Sequence, residues 1–75
     1  MPDKTLDARG LTCPLPILKA KKAMGEIPVG AILEVLATDP GAEEDFKAFS
    51  RTTGHELVSQ SEAGGVLTVR LRRTR

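Results

Sequence analysis

The chain has 75 residues, of which 40% are hydrophobic, and a formal net charge of +1 at pH 7. A chain of this length supports one small hydrophobic core, so we expect residues 1–75 to form a single domain. Because the charge is near neutral and tryptophan and tyrosine are absent, the composition argues against a nucleic-acid surface built on strong positive charge and base stacking.

The first half of the chain predicts a strand, a helix and a second strand. Lys4–Ala8 alternates apolar and polar side chains, which is typical of a short strand. From Pro14 to Met24 apolar residues recur at helical spacing, and Gly25 stops this first helix. Ala31–Thr38 is almost continuously aliphatic, which favours a central strand. Its expected core residues are Leu33, Val35 and Ala37.

The second half of the chain predicts a helix followed by a hairpin. Asp39 and Pro40 have the residue types of an N-cap and a first helical position, and Gly54 ends this helix. Glu56–Ser61 and Val66–Arg72 are separated by four residues that include two glycines, so we expect an antiparallel pair. The expected core residues here are Phe46, Phe49, Leu67, Val69 and Leu71.

The predicted order of elements, βαβαββ, defines the fold class as α/β. It predicts a two-layer sandwich in which two helices cover one face of a small mixed four-stranded sheet. The other sheet face would be open and would carry a mixture of apolar and polar side chains. These are Ile32, Glu34, Leu36, Thr68 and Arg70. Such a face is either a docking surface or an ordinary exposed surface.

Cys13 stands at the predicted entrance of the first helix. With Pro14 as the first helical residue, Cys13 would be the N-cap. The N–H of Leu15 would then donate to its sulfur, because Pro16 has no N–H. A helix N-terminus favours a thiolate by ~0.3–1 kcal/mol, less than one pKa unit, so the helix alone predicts a mild nucleophile.

The rest of the sequence limits the kinds of reaction in which Cys13 could take part. A lone cysteine and a lone histidine exclude an intramolecular disulfide and a Cys/His zinc site, so we expect no metal. His55 follows the second helix, and nothing in the sequence brings it to Cys13, which argues against a cysteine protease. What remains is sulfur exchange with another molecule. Arg9 and Lys21 either assist this exchange by their charge or are ordinary solvated side chains.

The segment Leu6–Pro16, with Cys-Pro-x-Pro at residues 13–16, resembles the signature of the TusA/SirA-type sulfur-carrier family. The resemblance continues in Lys21-Lys22, Thr38–Pro40, Asp45-Phe46 and Gly54-His55, so it covers essentially the whole chain. Some relatives carry an acidic or polar residue where this chain has an apolar leucine within the motif, a difference that bears on partner choice.

This resemblance implies a two-layer α/β sandwich that acts as a sulfurtransferase, with a persulfide carried on Cys13. We expect Pro14 and Pro16 to frame the cysteine and the N–H of Leu15 to stabilise its anion. We expect no cofactor. The implied partners are a donor, either a cysteine desulfurase or a rhodanese-like protein, and an acceptor protein. The sulfur would then enter tRNA thiolation, molybdenum cofactor assembly or sulfur oxidation.

Several expectations concern where the chain acts and what it contacts. Residues 1–7 are polar, and no apolar run approaches the ~20 residues that span a bilayer, so we expect a cytoplasmic monomer without a signal or membrane helix. We expect no direct contact with tRNA. The basic run Arg70–Arg75 is either an RNA contact or a frayed tail.

A second hypothesis belongs to a different class. The chain would be a non-catalytic regulatory module that binds a partner through the open sheet face, with Cys13 as a redox-sensitive contact. Activity that survives replacement of Cys13 would favour this alternative.

Overall fold

The chain folds into the six predicted elements in the predicted order. The computed structural model describes residues 2–75. Its elements are β1 (Lys4–Ala8), α1 (Leu15–Met24), β2 (Ile32–Ala37), α2 (Ala42–Thr53), β3 (Glu56–Ala63) and β4 (Val66–Arg72). Neither helix is long and apolar enough to cross a membrane, within the part of the chain that the structure describes.

The four strands form one mixed sheet in the order β1-β2-β4-β3. β1 pairs with β2 in parallel, while β4 pairs antiparallel with both β2 and β3. α1 packs on β1 and β2, α2 packs on β3 and β4, and the two helices contact each other. The predicted two-layer sandwich with both helices on one face is therefore confirmed.

The core lies between the inner sheet face and the two helices. In the two central strands, Leu33 pairs with Leu71 and Val35 pairs with Val69, and all four side chains are fully buried. Phe46 of α2 covers them without any exposed surface. Since burying a side chain of this size contributes ~1.5–3 kcal/mol, this cluster holds the helices to the sheet. The predicted core residues are buried. They are Leu33, Val35, Ala37, Phe46, Phe49, Leu67, Val69 and Leu71.

The hairpin turn is shorter than the sequence predicted. β3 extends to Ala63, so the turn itself contains only Gly64 and Gly65. Both have positive φ, at 58° and 82°. A two-residue hairpin turn with positive φ at both positions matches the right-handed twist of the strands, and glycine adopts that conformation at low cost.

The start of the second helix also differs from the prediction. α2 begins at Ala42, with Gly41 at the N-cap, so Asp39 is not the cap residue. Instead, the Asp39 carboxylate accepts a hydrogen bond from the N–H of Gly41, with Oδ2 3.0 Å from the nitrogen. This bond closes the turn that precedes the helix, a role that aspartate often has in loops.

The open sheet face is crossed by ion pairs between neighbouring strands. Arg70 contacts Glu34 at 3.1 Å, and Arg72 contacts Glu56 at 3.3 Å. Ile32 and Leu36 are only half-buried there. Exposed ion pairs of this kind contribute little to stability, and two separated aliphatic side chains are common on a solvated surface.

The last two residues bind to the end of α2 and are not a frayed tail. The Arg75 guanidinium donates to the Thr53 carbonyl through Nε at 3.0 Å and Nη2 at 2.8 Å. The Thr74 hydroxyl donates to the Gly54 carbonyl at 2.8 Å. Because the final carbonyls of a helix lack partners within the helix, these donors satisfy groups that would otherwise depend on water.

We predict that Gly54→Ala destabilises the chain by ~1–2 kcal/mol, because an L-residue is strained in the left-handed region. Gly54 has φ +83°, and a Cβ there would lie 2.9 Å from Arg75 Nη2. Urea unfolding followed by far-ultraviolet circular dichroism would measure the loss in free energy of unfolding.

Gly25→Ala is the matched control, since Gly25 ends α1 at φ −73° and its Cβ would lie 3.4 Å from the Lys22 carbonyl oxygen. Its free energy of unfolding should change much less than that of Gly54→Ala. Equal losses in the two variants would contradict the assignment.

Candidate functional site

Cys13 lies in the loop that follows β1, at the edge of the sheet where the carboxyl ends of β1 and β2 meet. The strands are paired up to Ala8 and Ala37. One residue beyond this pair, the Thr38 hydroxyl accepts a hydrogen bond from the Gly10 N–H at 2.8 Å. The Cys13 loop is therefore fastened beside the loop that leads into α2. Its thiol is free and exposed.

The helix start does not have the predicted geometry. α1 begins at Leu15, with Pro14 at the N-cap, so Cys13 precedes the cap. The Leu15 N–H donates to the Thr12 carbonyl at 2.8 Å, and this bond closes a turn that contains Cys13. The expectation that Leu15 donates to the sulfur is therefore wrong, because that amide already has a partner. The Cys13–Pro14 peptide bond is cis.

Carboxylates, and not main-chain amides, set the electrostatics of the thiol. A hydrogen bond to the Asp45 carboxylate raises the pKa of the Cys13 thiol, and partial desolvation and the charges of Asp45 and Asp39 raise this pKa further. A nearby negative charge disfavours a second one, so the resting thiol holds its proton. The position of Cys13 at a helix entrance predicted a lowered pKa for its thiol. That prediction is wrong, because the pKa of the Cys13 thiol is raised.

A groove of about 420 Å³ runs between α1 and α2 and begins at Cys13. Most of its wall is apolar, and Leu18 projects into solvent with 55% of its surface exposed. The residues that line it are Cys13, Pro14, Ile17, Leu18, Lys21, Asp45, Ala48, Phe49, Thr52 and Thr53. The thiol thus stands at one end of an apolar cleft that carries one cation and one anion.

Only some of the predicted site residues lie together in the structure. Pro14 and Lys21 line the groove with Cys13, whereas Pro16 is a buried residue of α1 and Leu15 is exposed outside the groove lining. Arg9 is held elsewhere. It is in an ion pair with Asp7, with Nε 2.9 Å from Oδ1 and Nη2 2.9 Å from Oδ2.

That ion pair dominates the titration of Asp7. Hydrogen bonds from the Arg9 side chain and main chain lower the pKa of Asp7 to about 2. The guanidinium is therefore committed to this carboxylate, at the end of β1, rather than to the thiol.

Asp45 is the neighbour that sequence reasoning missed. It is 32 positions from Cys13 along the chain, and in the sequence it is only one of three acidic residues in the first turn of α2. Nothing in local spacing distinguishes it from Glu43 and Glu44. Only the tertiary structure, which places the Cys13 loop beside the start of α2, brings its carboxylate to the sulfur.

His55 is engaged in other contacts. Its Nδ1 accepts a hydrogen bond from the Thr74 N–H at 3.2 Å, and its ring centroid lies 6.2 Å from that of Phe49. Burial, with the charges of Arg73 and Arg75, lowers its pKa. It is not part of the groove lining, so the site has no imidazole base. Residues 2–75 also contain no group of three side chains suited to holding a metal ion.

Known proteins share both the sequence and the fold. The sequence model of the family described as sulfurtransferase TusA matches residues 4–73. The sulfur carrier protein TusA of Allochromatium vinosum is 54% identical over 63 residues, which cover 84% of this chain and 83% of that protein. The protein of the same name in Pseudomonas entomophila is 44% identical over 63 residues, covering 84% and 79%.

A solved structure has the same arrangement of elements. The crystal structure of a SirA-like protein from Desulfitobacterium hafniense superimposes with a TM-score of 0.83 at 26% sequence identity. The match covers 96% of this chain and 99% of that one.

We predict that alkylation of Cys13 by iodoacetamide requires a higher pH in the folded chain than in the same chain unfolded in urea. Only the thiolate reacts, and the folded state raises the pKa of this thiol. Mass spectrometry of the alkylated fraction against pH gives both midpoints.

The raised pKa of the Cys13 thiol also determines how the stability of the fold depends on pH. A group whose pKa is raised on folding stabilises the folded state below its unfolded pKa, and this contribution disappears as the pH rises through the folded value. A folded midpoint at or below the unfolded midpoint would show that the carboxylates do not act on the sulfur.

Proposed function

We propose that this chain, which belongs to the sulfurtransferase TusA family, carries sulfur as a persulfide on Cys13. A sulfur-carrier role follows from the family match over residues 4–73. The position of an exposed free thiol at the end of an apolar groove supports Cys13 as the residue that carries the sulfur. Sulfur is accepted and released through a thiolate, and Cys13 is the only cysteine in the sequence.

The proposed step is an exchange between a thiol and a persulfide. The Cys13 sulfur attacks the terminal sulfur of a donor persulfide, R–S–S–H, and gives up its own proton. A new S–S bond forms at Cys13, the S–S bond of the donor breaks, and the departing R–S⁻ takes up a proton to become a thiol. The reaction conserves oxidation state overall, so it needs no cofactor and no external oxidant.

The groove suggests that the sulfur is exchanged with another protein. Exposed Leu18 and the apolar wall beside the thiol provide a surface that a partner side chain would desolvate on docking. The donor would be a cysteine desulfurase or a rhodanese-like protein. The acceptor would be a protein that uses the sulfur for tRNA thiolation, molybdenum cofactor assembly or sulfur oxidation.

We predict that incubation with a cysteine desulfurase and free cysteine adds ~32 Da, one sulfur atom, to the wild-type chain. The adduct should disappear on treatment with a reducing thiol, because the added sulfur is bound through an S–S bond. Intact-mass spectrometry would follow both steps. Cys13→Ser should remain unmodified, and equal mass gain in the two proteins would overturn the assignment of Cys13.

We also predict that Leu18→Gln slows loading by the desulfurase several-fold through a higher KM, while loading from inorganic polysulfide is unchanged. The substitution keeps a side chain of comparable size but removes apolar contact area from the groove wall. Val29→Gln is the matched control, because Val29 is 62% exposed and lies outside the groove lining. Similar slowing by both substitutions would argue against docking in the groove.

A further inference from the structure

Two carboxylates lie close together at the start of α2, one from the preceding loop and one from the first turn of the helix. A Cβ placed on Gly41 would lie 3.2 Å from Asp39 Oδ2 and 3.8 Å from Asp45 Oδ2, so both side chains cover the same stretch of backbone. Both are half-buried. Asp45 also lines the groove beside the sulfur.

The groove contains one complementary charge, and it is not paired with either carboxylate. Within residues 2–75, Asp45 and Lys21 take part in no ion pair. Lys47, on the same helix as Asp45, is occupied by Glu43 and Glu44, each 3.5 Å from its Nζ. The ionisable groups around the sulfur are thus Lys21 from α1, Asp45 from α2, and Asp39 from the loop before α2.

We propose that Asp45, which is half-buried in the groove beside Cys13, is the contact for a basic side chain of the sulfur-exchanging partner, and that this pairing releases the Cys13 thiol for reaction. This inference rests on the proposed function for the identity of the partner, but not for the coupling between Asp45 and the thiol. Asp45 is a positioning residue here, since its carboxylate lines the same groove as the sulfur and raises the pKa of the thiol.

The release has a simple electrostatic basis. The Asp45 charge and the Cys13 thiolate repel each other at short range in a partly desolvated cleft. A cation beside Asp45 neutralises that charge and competes for its oxygens, so the thiol proton is lost more readily. The partner therefore activates the nucleophile at the moment its persulfide arrives. The exchange itself follows the proposed step, in which the donor thiolate leaves with a proton.

This arrangement suits a protein that carries one exposed thiol among many reactive molecules. A protonated thiol reacts slowly with electrophiles and oxidants, because the thiolate is the reactive species. Coupling its release to a charged partner restricts reaction to proteins that present an apolar side chain and a basic side chain together. The groove offers complementary contacts for both, in Leu18 and Asp45.

A pair of charged thiol reagents tests the field of Asp45 directly. A cationic and an anionic methanethiosulfonate react with the same thiolate, so the ratio of their rates is independent of the thiol pKa and reports the local charge. We expect the wild-type chain to prefer the cationic reagent by about fivefold or more at low ionic strength, and less in added salt. Asp45→Asn should remove most of this preference and lower the midpoint of the alkylation pH profile.

Glu44→Gln is the matched control. It removes one negative charge from the same helical turn, but Glu44 is exposed and paired with Lys47. The rate ratio and the midpoint should then remain at the wild-type values. The proposal is overturned if Asp45→Asn leaves both readouts unchanged, or if Glu44→Gln changes them as much as Asp45→Asn.

Two peptide persulfides test the partner's charge. In one a lysine follows Leu-Cys, and in the other a glutamate. The lysine peptide should load wild-type Cys13 several-fold faster, and Asp45→Asn should abolish this difference. Equal loading rates in the wild type would refute the cationic partner. If neither peptide loads while the reagent ratio behaves as expected, the proposed sulfur transfer fails and the coupling between Asp45 and the thiol stands.

Discussion

The parallel pairing of β1 with β2 is the constraint on which the site depends. Their register ends at Ala8 and Ala37, and the Gly10–Thr38 hydrogen bond extends the contact into the following loops. Because parallel strands end at the same edge of a sheet, the loop that holds Cys13 and the loop that enters α2 must lie side by side. The thiol is therefore presented to α2 as much as to α1.

Placement against α2 changes the chemistry expected from a helix-entrance cysteine. A helix N-terminus offers partial positive charge worth a fraction of a pKa unit. The carboxylates of Asp45 and Asp39 act in the opposite direction, and the pKa of the Cys13 thiol is raised. The more direct contact prevails, because a hydrogen bond to a full charge outweighs a distant dipole end. The Cys13 thiol is therefore exposed, while its raised pKa favours the protonated form, which is the less reactive one.

Each helix contributes some side chains to the core and others to the groove. Ala20, Ala23 and Met24 of α1 are buried against the sheet, while Leu18 points outward. On α2, Phe46 is wholly buried and Phe49 both closes the core and forms part of the groove wall. The edge-to-face contact of these rings, with centroids 6.2 Å apart, gives the groove a base anchored in the core. The groove is thus an extension of the packed interior.

Sequence alone determined the order of the elements, the inner faces of the central strands and the family. Alternation and helical spacing are local signals, so positions such as Leu33, Val69 and Phe46 were identified correctly. The same reasoning misplaced both helix starts by one or two residues, because turn hydrogen bonds at Leu15 and Gly41 decide them. It left open whether Arg9 assists the thiol, and the structure places Arg9 in an ion pair with Asp7. The meeting of Cys13 with Asp45 depended on tertiary structure, since only the pairing of β1 with β2 and the packing of α2 beside the Cys13 loop join residues so distant in sequence.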